Sequence, residues 1–263
     1  MDAKRLDVLL VEKGLAPTRE RAQARIMAGD VRVNGSRVVK AGARVPIDAE
    51  IMLTGSDLPY VSRGGLKLEK AIASFNINLA GKVLLDVGAS TGGFTDCALQ
   101  HGAARVYAVD VGYGQLAWKL RQDERVVVME RTNIRHLQPE QLMPRPNIAS
   151  IDVSFISLYM VIPKVVSLLT GAREILALVK PQFEVGKGRV GKGGVVRNPA
   201  LHEQVLSDVM AMVGEYLTCC GLDFSPVKGA KGNIEYLLYA RSGPSVPLPR
   251  VTEIVATAHA SLG

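Results

Sequence analysis

The sequence predicts an α/β protein in two parts: a mostly parallel sheet with helices on both faces, preceded by a small α+β module. Three observations carry that reading. From Lys82 onward, short apolar runs of strand length alternate with segments of helical periodicity. Several of those runs are continuously apolar, as strands covered on both faces must be. Residues 1–58 instead hold two helical patterns, one hairpin signal and a dense set of arginines.

In the N-terminal part, Leu6, Leu9 and Leu10 give residues 5–13 helical spacing. Thr18 can cap a second helix over 19–27, which Gly29 would end. The run DVRVNGSRVV alternates Val31 and Val33 around Asn34-Gly35, a two-residue hairpin turn. Residues 59–66, in the stretch LPYVSRGGL, are expected to act as a linker, and residues 67–263 to form the larger domain. There, strands are expected over 82–87, 105–110, 126–130, 148–153, 174–179 and 234–240. Helices are expected over 94–101, 115–121, 158–169, 201–219 and, at the end, 251–262. The last strand, just before the final helix, reads as an antiparallel addition to the sheet.

Composition narrows the function. Hydrophobic residues make up 48% of the chain, enough for a packed core, and the formal net charge of +7 favours an anionic partner. Cys97, Cys219 and Cys220 form no C-x-x-C pair and read as reduced thiols of a cytoplasmic protein. His101, His136, His202 and His259 lack ligand spacing, so no metal site is expected. The first apolar run is interrupted by charge too soon for a signal peptide. No apolar run approaches the ~20 residues that span a bilayer, and no membrane association is expected.

The strongest local signal is VLLDVGASTGGFTDCAL. An apolar strand carrying Asp86 near its end runs into a glycine-rich turn, and a helix begins near Phe94. Gly88, Gly92 and Gly93 let backbone approach a ligand, with Ala89, Ser90 and Phe94 completing the turn. Ser90 stands where a dinucleotide fingerprint has its second glycine. A carboxylate there suits a ligand with a cationic amino-acid tail, such as S-adenosylmethionine. Asp110 ends the next strand, where a carboxylate can accept both hydrogen bonds of a ribose diol. Asn133, in the turn after the third strand, is a candidate contact to the adenine edge.

Four charged residues lie at or near the ends of expected strands or just before the sheet: Lys67, Asp152, Lys180 and Glu235. Charge in such places is costly unless paired or solvated, so they form either structural ion pairs or a reacting centre. Together they suit methylation of a ribose 2′-hydroxyl. The hydroxyl must lose its proton, and a lysine is a base when a second lysine and partial burial lower its pKa. Lys70 competes with Lys67 for its place. Phe155, in DVSFIS, is a candidate for stacking on a base or on adenine.

The motifs RLDVLLVEKGLAPTRERAQARIMAGDVRVNG, SRGGLKLEKA, DVGASTGGFT, AVDVGYGQLAWKLR, DVSFIS, LVKPQFEVGKG and GNIEYLL cover nearly the whole chain. The first resembles the RNA-binding domain named after small-subunit ribosomal protein S-four. The rest resemble FtsJ-like ribose methyltransferases, the TlyA family in particular. The resemblance implies a Rossmann-like class I methyltransferase domain that binds S-adenosylmethionine. It also implies a Lys67-Asp152-Lys180-Glu235 tetrad and 2′-O-methylation of cytidine in ribosomal RNA. Lys180 would then be the general base, or the lysine that steers the hydroxyl. The N-terminal module would grip ribosomal RNA or a ribosomal subunit, with Arg5, Arg19, Arg21, Arg25, Arg32, Arg63, Lys187 and Lys228 as candidate phosphate contacts.

Three other functions meet opposing features. A lytic protein, suggested by the haemolysin name that the family often carries, lacks an export signal and a lytic amphipathic segment here. A non-catalytic RNA-binding factor has no need of the complete tetrad. Methylation of a base nitrogen commonly uses an N-P-P-Y-type loop, where this chain has DVSF and two lysines.

Overall fold

The computed structural model describes residues 2–54, 58–186, 188–244 and 246–263. The N-terminal module contains β1 (Ala3–Arg5), α1 (Leu6–Glu12), α2 (Arg19–Ala28), β2 (Val31–Val33), β3 (Ser36–Val38), β4 (Arg44–Pro46) and β5 (Ile51–Leu53). Thr18 Oγ1 accepts from the Arg21 amide at 3.2 Å, and left-handed Gly29 ends α2. β2 lies between β3 and β5, both antiparallel to it, and β1 pairs with β4. β1, β4 and β5 are too short to show an alternation in sequence. The module closes its own core with Leu6, Leu9, Leu10, Ala22, Ile26 and Val31.

The segment expected to be a linker, 59–66, is built into the larger domain. Tyr60 and Val61 are buried with Leu68, Ala71, Phe94 and Cys97, and α3 (Gly64–Phe75), for which no element was expected, begins inside it. Arg21 binds the two parts together: its Nη1 donates to the Leu58 carbonyl at 2.6 Å and the Tyr60 carbonyl at 2.8 Å. Removing that guanidinium in Arg21→Ala is expected to cost about 1–2 kcal/mol, read as a drop in Tm of roughly 2–8 °C. An unchanged melting curve would show that the joint does not depend on it.

The larger domain continues through β6 (Val83–Val87), α4 (Gly93–Gln100), β7 (Arg105–Val109), α5 (Trp118–Arg121), β8 (Val126–Met129) and β9 (Ile148–Ile151). Then come α6 (Ile162–Leu168), β10 (Glu174–Val179), α7 (Pro181–Glu184), α8 (Pro199–Gly214), β11 (Thr218–Phe224), β12 (Tyr236–Arg241) and α9 (Val251–Leu262). The strands form a seven-stranded sheet in the order β11-β12-β10-β9-β6-β7-β8. β12 runs antiparallel to both neighbours, and the other strands from β10 to β8 pair in parallel. Alternate residues serve opposite faces: Leu85 and Val179 pack with Val165, Leu206 and Val255 on one side, Leu84 and Leu178 with Ala71 and Phe94 on the other.

The helix expected over 201–219 stops at Gly214, and 218–224 becomes the edge strand β11. Gly214 and Thr218 are poor helix formers, and pairing with β12, on the far side of the next loop, draws residues 218–224 into the sheet.

Candidate active site

Two pairing rules bring the four charged residues together. β9 lies parallel between β6 and β10, with Ile151 beside Val87 and Ala177. Asp152 therefore emerges between the glycine turn after β6 and Lys180 at the end of β10. β12 is antiparallel, and Tyr236 pairs with Val179, so Glu235 enters at the same end. Lys67 reaches in from α3. All four line one cleft of about 440 Å³, shared with Gly88, Ala89, Ser90, Gly93 and Phe94 of the turn and within the range usual for small-ligand sites.

Lys67 Nζ donates to Glu235 Oε2 at 2.6 Å and stands 3.8 Å from Asp152 Oδ2. Lys180 Nζ lies 2.5 Å from Asp152 Oδ1 and donates to Ser154 Oγ at 3.0 Å. Asp152 is thus shared by both lysines. Lys67, Lys180 and Glu235 are buried, a costly placement that the pairing of two cations with two anions offsets. Gly229 makes room for this: a Cβ there would come within 1.8 Å of Glu235 Oε1. Lys70 takes no part. Its ammonium donates to Asp223 Oδ1 and the Phe224 carbonyl, 3.6 Å from the centre of the Phe224 ring.

The expectation of a lysine pKa depressed by its neighbour is not met at Lys67. Burial would lower it, but the attraction of Asp152 and Glu235, with the hydrogen bond to Glu235, outweighs burial and holds Lys67 above its ordinary value. For Asp152, burial would raise the pKa, but the two lysines hold it below the usual carboxylate range.

Several expected cofactor contacts stand behind the cleft wall. Asp86 is 1% exposed and accepts from Thr95 Oγ1 at 2.6 Å and Ser150 Oγ at 2.9 Å, so it braces the turn from within. Burial pushes its pKa up to about 6, partly countered by those hydroxyls. A raised acid favours the fold in its neutral form. That stability is full below the unfolded value near ~3.9 and is lost as pH rises through about 6. Asp86→Asn is therefore expected to flatten the melting temperature between about pH 4 and 6 relative to wild type. Equal slopes in the two proteins would show that Asp86 is not the titrating group.

Gly92 also serves packing rather than ligand approach. Its φ is 93°, and a Cβ would meet Leu120 Cδ1 at 2.2 Å. Asp110 accepts from the Ser90 amide at 2.8 Å and the Gly112 amide at 2.7 Å, pinning the turn, with lone pairs left for a diol. Asn133 Oδ1 caps the short turn after it by accepting from the Arg135 amide.

The candidate phosphate contacts divide. Arg5 and Arg19 both donate to buried Asp7 but keep about half of each side chain in solvent. Arg32 is exposed and donates to the Gly35 carbonyl. Arg63 and Lys228 line the cleft. Arg25 is 9% exposed, on the face of α2 that carries Ala22 and Ile26, and is closed to a phosphate. Arg21 is committed to the joint. Lys187 lies outside the described residues. Ser154, Gln182, Phe183 and Gly229 were missed in the sequence, though the first three lie within two or three residues of Asp152 or Lys180. Phe155 is 92% exposed, has φ 64° and sits 5.2 Å from the Phe183 ring.

This strand order, with one antiparallel strand inserted and a glycine turn and carboxylates at the switch between β6 and β9, defines a Rossmann-like domain of the class I methyltransferase type. Residues 60–242 match the FtsJ-like methyltransferase model and residues 4–51 the S4 domain model. The chain belongs to the FtsJ-like methyltransferase family. It is similar to YqxC of Bacillus subtilis, 51% identical over 98% of this chain and 95% of that protein. It is also similar to the 16S/23S rRNA (cytidine-2′-O)-methyltransferase TlyA of Mycobacterium tuberculosis, 48% identical over 90% of each. A solved structure from Streptococcus thermophilus that carries a hemolysin name matches with a TM-score of 0.78 at 47% identity, over 99% of this chain and 97% of that one. Among the described residues no helix is long and apolar enough to cross a membrane, and no three His, Cys, Asp or Glu side chains are placed to hold a metal ion.

Proposed function

We propose that this chain transfers the methyl group of S-adenosylmethionine to the ribose 2′-hydroxyl of cytidine in ribosomal RNA, acting in the cytoplasm. The observation that carries the reading is the convergence of Lys67, Asp152, Lys180 and Glu235 on the cleft that the glycine turn also lines. The residues present fit the cofactor: Gly88, Ala89 and Ser90 face the cleft, and Asp110 beside them keeps acceptor capacity for a ribose. When bound, the cofactor supplies an electrophilic sulfonium methyl group.

The chain's own residues prepare the hydroxyl. Lys67, tied to two carboxylates, stays an ammonium and donates toward the ribose. Lys180 has one carboxylate and one hydroxyl as partners. It serves as the acceptor of the 2′-hydroxyl proton, with Asp152 beside it. Holding the oxygen in line for attack supplies much of the rate. Residues 1–58 grip RNA through Arg5, Arg19 and Arg32, while Arg63 and Lys228 meet phosphates at the cleft. Phe155 and Phe183 offer the flipped base a stacking face.

The test is tritiated methyl transfer from S-adenosylmethionine to separated ribosomal subunits from cells lacking the enzyme, followed by nucleoside mass spectrometry. The expected product is 2′-O-methylcytidine. Cofactor binding without transfer to either subunit would favour a non-catalytic RNA-binding factor.

A further inference from the structure

A buried polar atom in a native fold is nearly always met by a partner, and one that is not calls for an explanation. The side-chain oxygen of Gln182 is buried and accepts no hydrogen bond within the chain, and Gln182 lines the catalytic cleft. Its place says which ligand it faces. Gln182 follows Lys180 by two residues on α7, at the end of β10, while the glycine turn follows β6, with β9 between them. It therefore stands on the hydroxyl-preparing side of the cleft, away from the cofactor turn. The next residue, Phe183, pairs with exposed Phe155 at 5.2 Å, forming an aromatic ledge on the same rim. Gln182 directly precedes Phe183 of that ledge in the chain.

We infer that Gln182 reads the target base, its Oε1 accepting a hydrogen bond from the exocyclic amine of cytosine. This rests on the reading that the cleft takes a nucleotide for 2′-O-methylation. The chemistry comes from the donor and acceptor inventory. An amide oxygen only accepts, and cytosine offers N–H at its exocyclic position where uracil carries a carbonyl. Turning the amide to meet uracil would place two N–H donors in the buried position for a single carbonyl, leaving one without an acceptor.

The test uses the full chain with Gln182→Leu and, as probe, ribosomal subunits from cells lacking the methyltransferase. Leucine approximates the glutamine volume and removes the buried oxygen, so Tm should hold or rise. A structural role for the amide would instead lower it. The expected result is a roughly ten- to hundredfold fall in kcat/KM for subunits. The share of 2′-O-methyluridine among the products should rise, with an unchanged calorimetric Kd for S-adenosylmethionine. Wild-type kcat/KM with an unchanged product, a lowered Tm or a weakened cofactor affinity would each overturn the assignment. Wild-type protein that transfers no methyl group would overturn the functional reading, and this inference with it.

Discussion

Lys180→Met is expected to lower the rate of methyl transfer by about 10²–10⁴-fold, the usual contribution of a positioned acid–base group. The dissociation constant for S-adenosylmethionine should stay unchanged, because Lys180 follows β10 and the cofactor turn follows β6. Methionine suits the test: it fills the space of a 7%-exposed lysine stem without a charge. The substitution leaves Asp152 with Lys67 alone, 3.8 Å away, so the remaining pair is looser but not broken. Single-turnover transfer with saturating cofactor separates the chemical step from binding. Retained turnover would remove Lys180 from the reaction. A large fall in cofactor affinity would assign it to the cofactor instead.

Asp152→Asn is the second large effect, because one carboxylate serves two lysines. Neutralising it leaves Lys180 with Ser154 and Lys67 with Glu235. Activity should fall by roughly 10²-fold or more. Removing one partner of a fully buried pair costs about 3–5 kcal/mol. The loss here should be smaller, since the Asp152 side chain keeps 20% exposure. The pH dependence distinguishes this from simple unfolding. Asp152 is held below its ordinary pKa, so its contribution to stability is present above the unfolded value near ~3.9 and is lost as pH falls through the folded value. Lys67 is held above its ordinary pKa, so its contribution is complete below about pH 10.4 and is lost as pH rises through its folded value. The variant should therefore lose less stability than wild type on the acid side, and its alkaline loss should be smaller and end at a lower pH. Parallel melting profiles in the two proteins would refute this account of the network.

Much of the fold was legible because the signals were local. The period of Val83–Val87 and Arg105–Val109 marks buried parallel strands, and the cap at Thr18 with the stop at Gly29 bounds α2. Where tertiary pairing overrode local preference, the reading failed. Thr218–Phe224 is a strand because β12 lies beside it, and Gly64–Phe75 is a helix packed on α4 in a stretch whose N-terminal residues were expected to be a linker. The site divides in the same way. Asp152, Lys180 and Glu235 were visible as charges in or beside apolar strands and Lys67 only through the family resemblance, but Ser154 and Gln182 carry no such mark.

Composition, periodicity and motif spacing by themselves determined that this chain is α/β and that a glycine turn follows its first long strand, while the grouping of the four charged residues came from the resemblance to FtsJ-like methyltransferases. The first two are properties of residue type and interval, and they need no partner in space. Only the tertiary structure decided what each group does there. It turned Asp86 inward to Thr95 and Ser150, committed Arg21 to the joint and withdrew Arg25 into the module. It chose Lys67 over Lys70 and tied Lys67 to Glu235 at 2.6 Å. The reason is physical: a side chain's charge state and availability depend on what stands within a few ångströms of it. For these residues the neighbours come mostly from other elements of the chain.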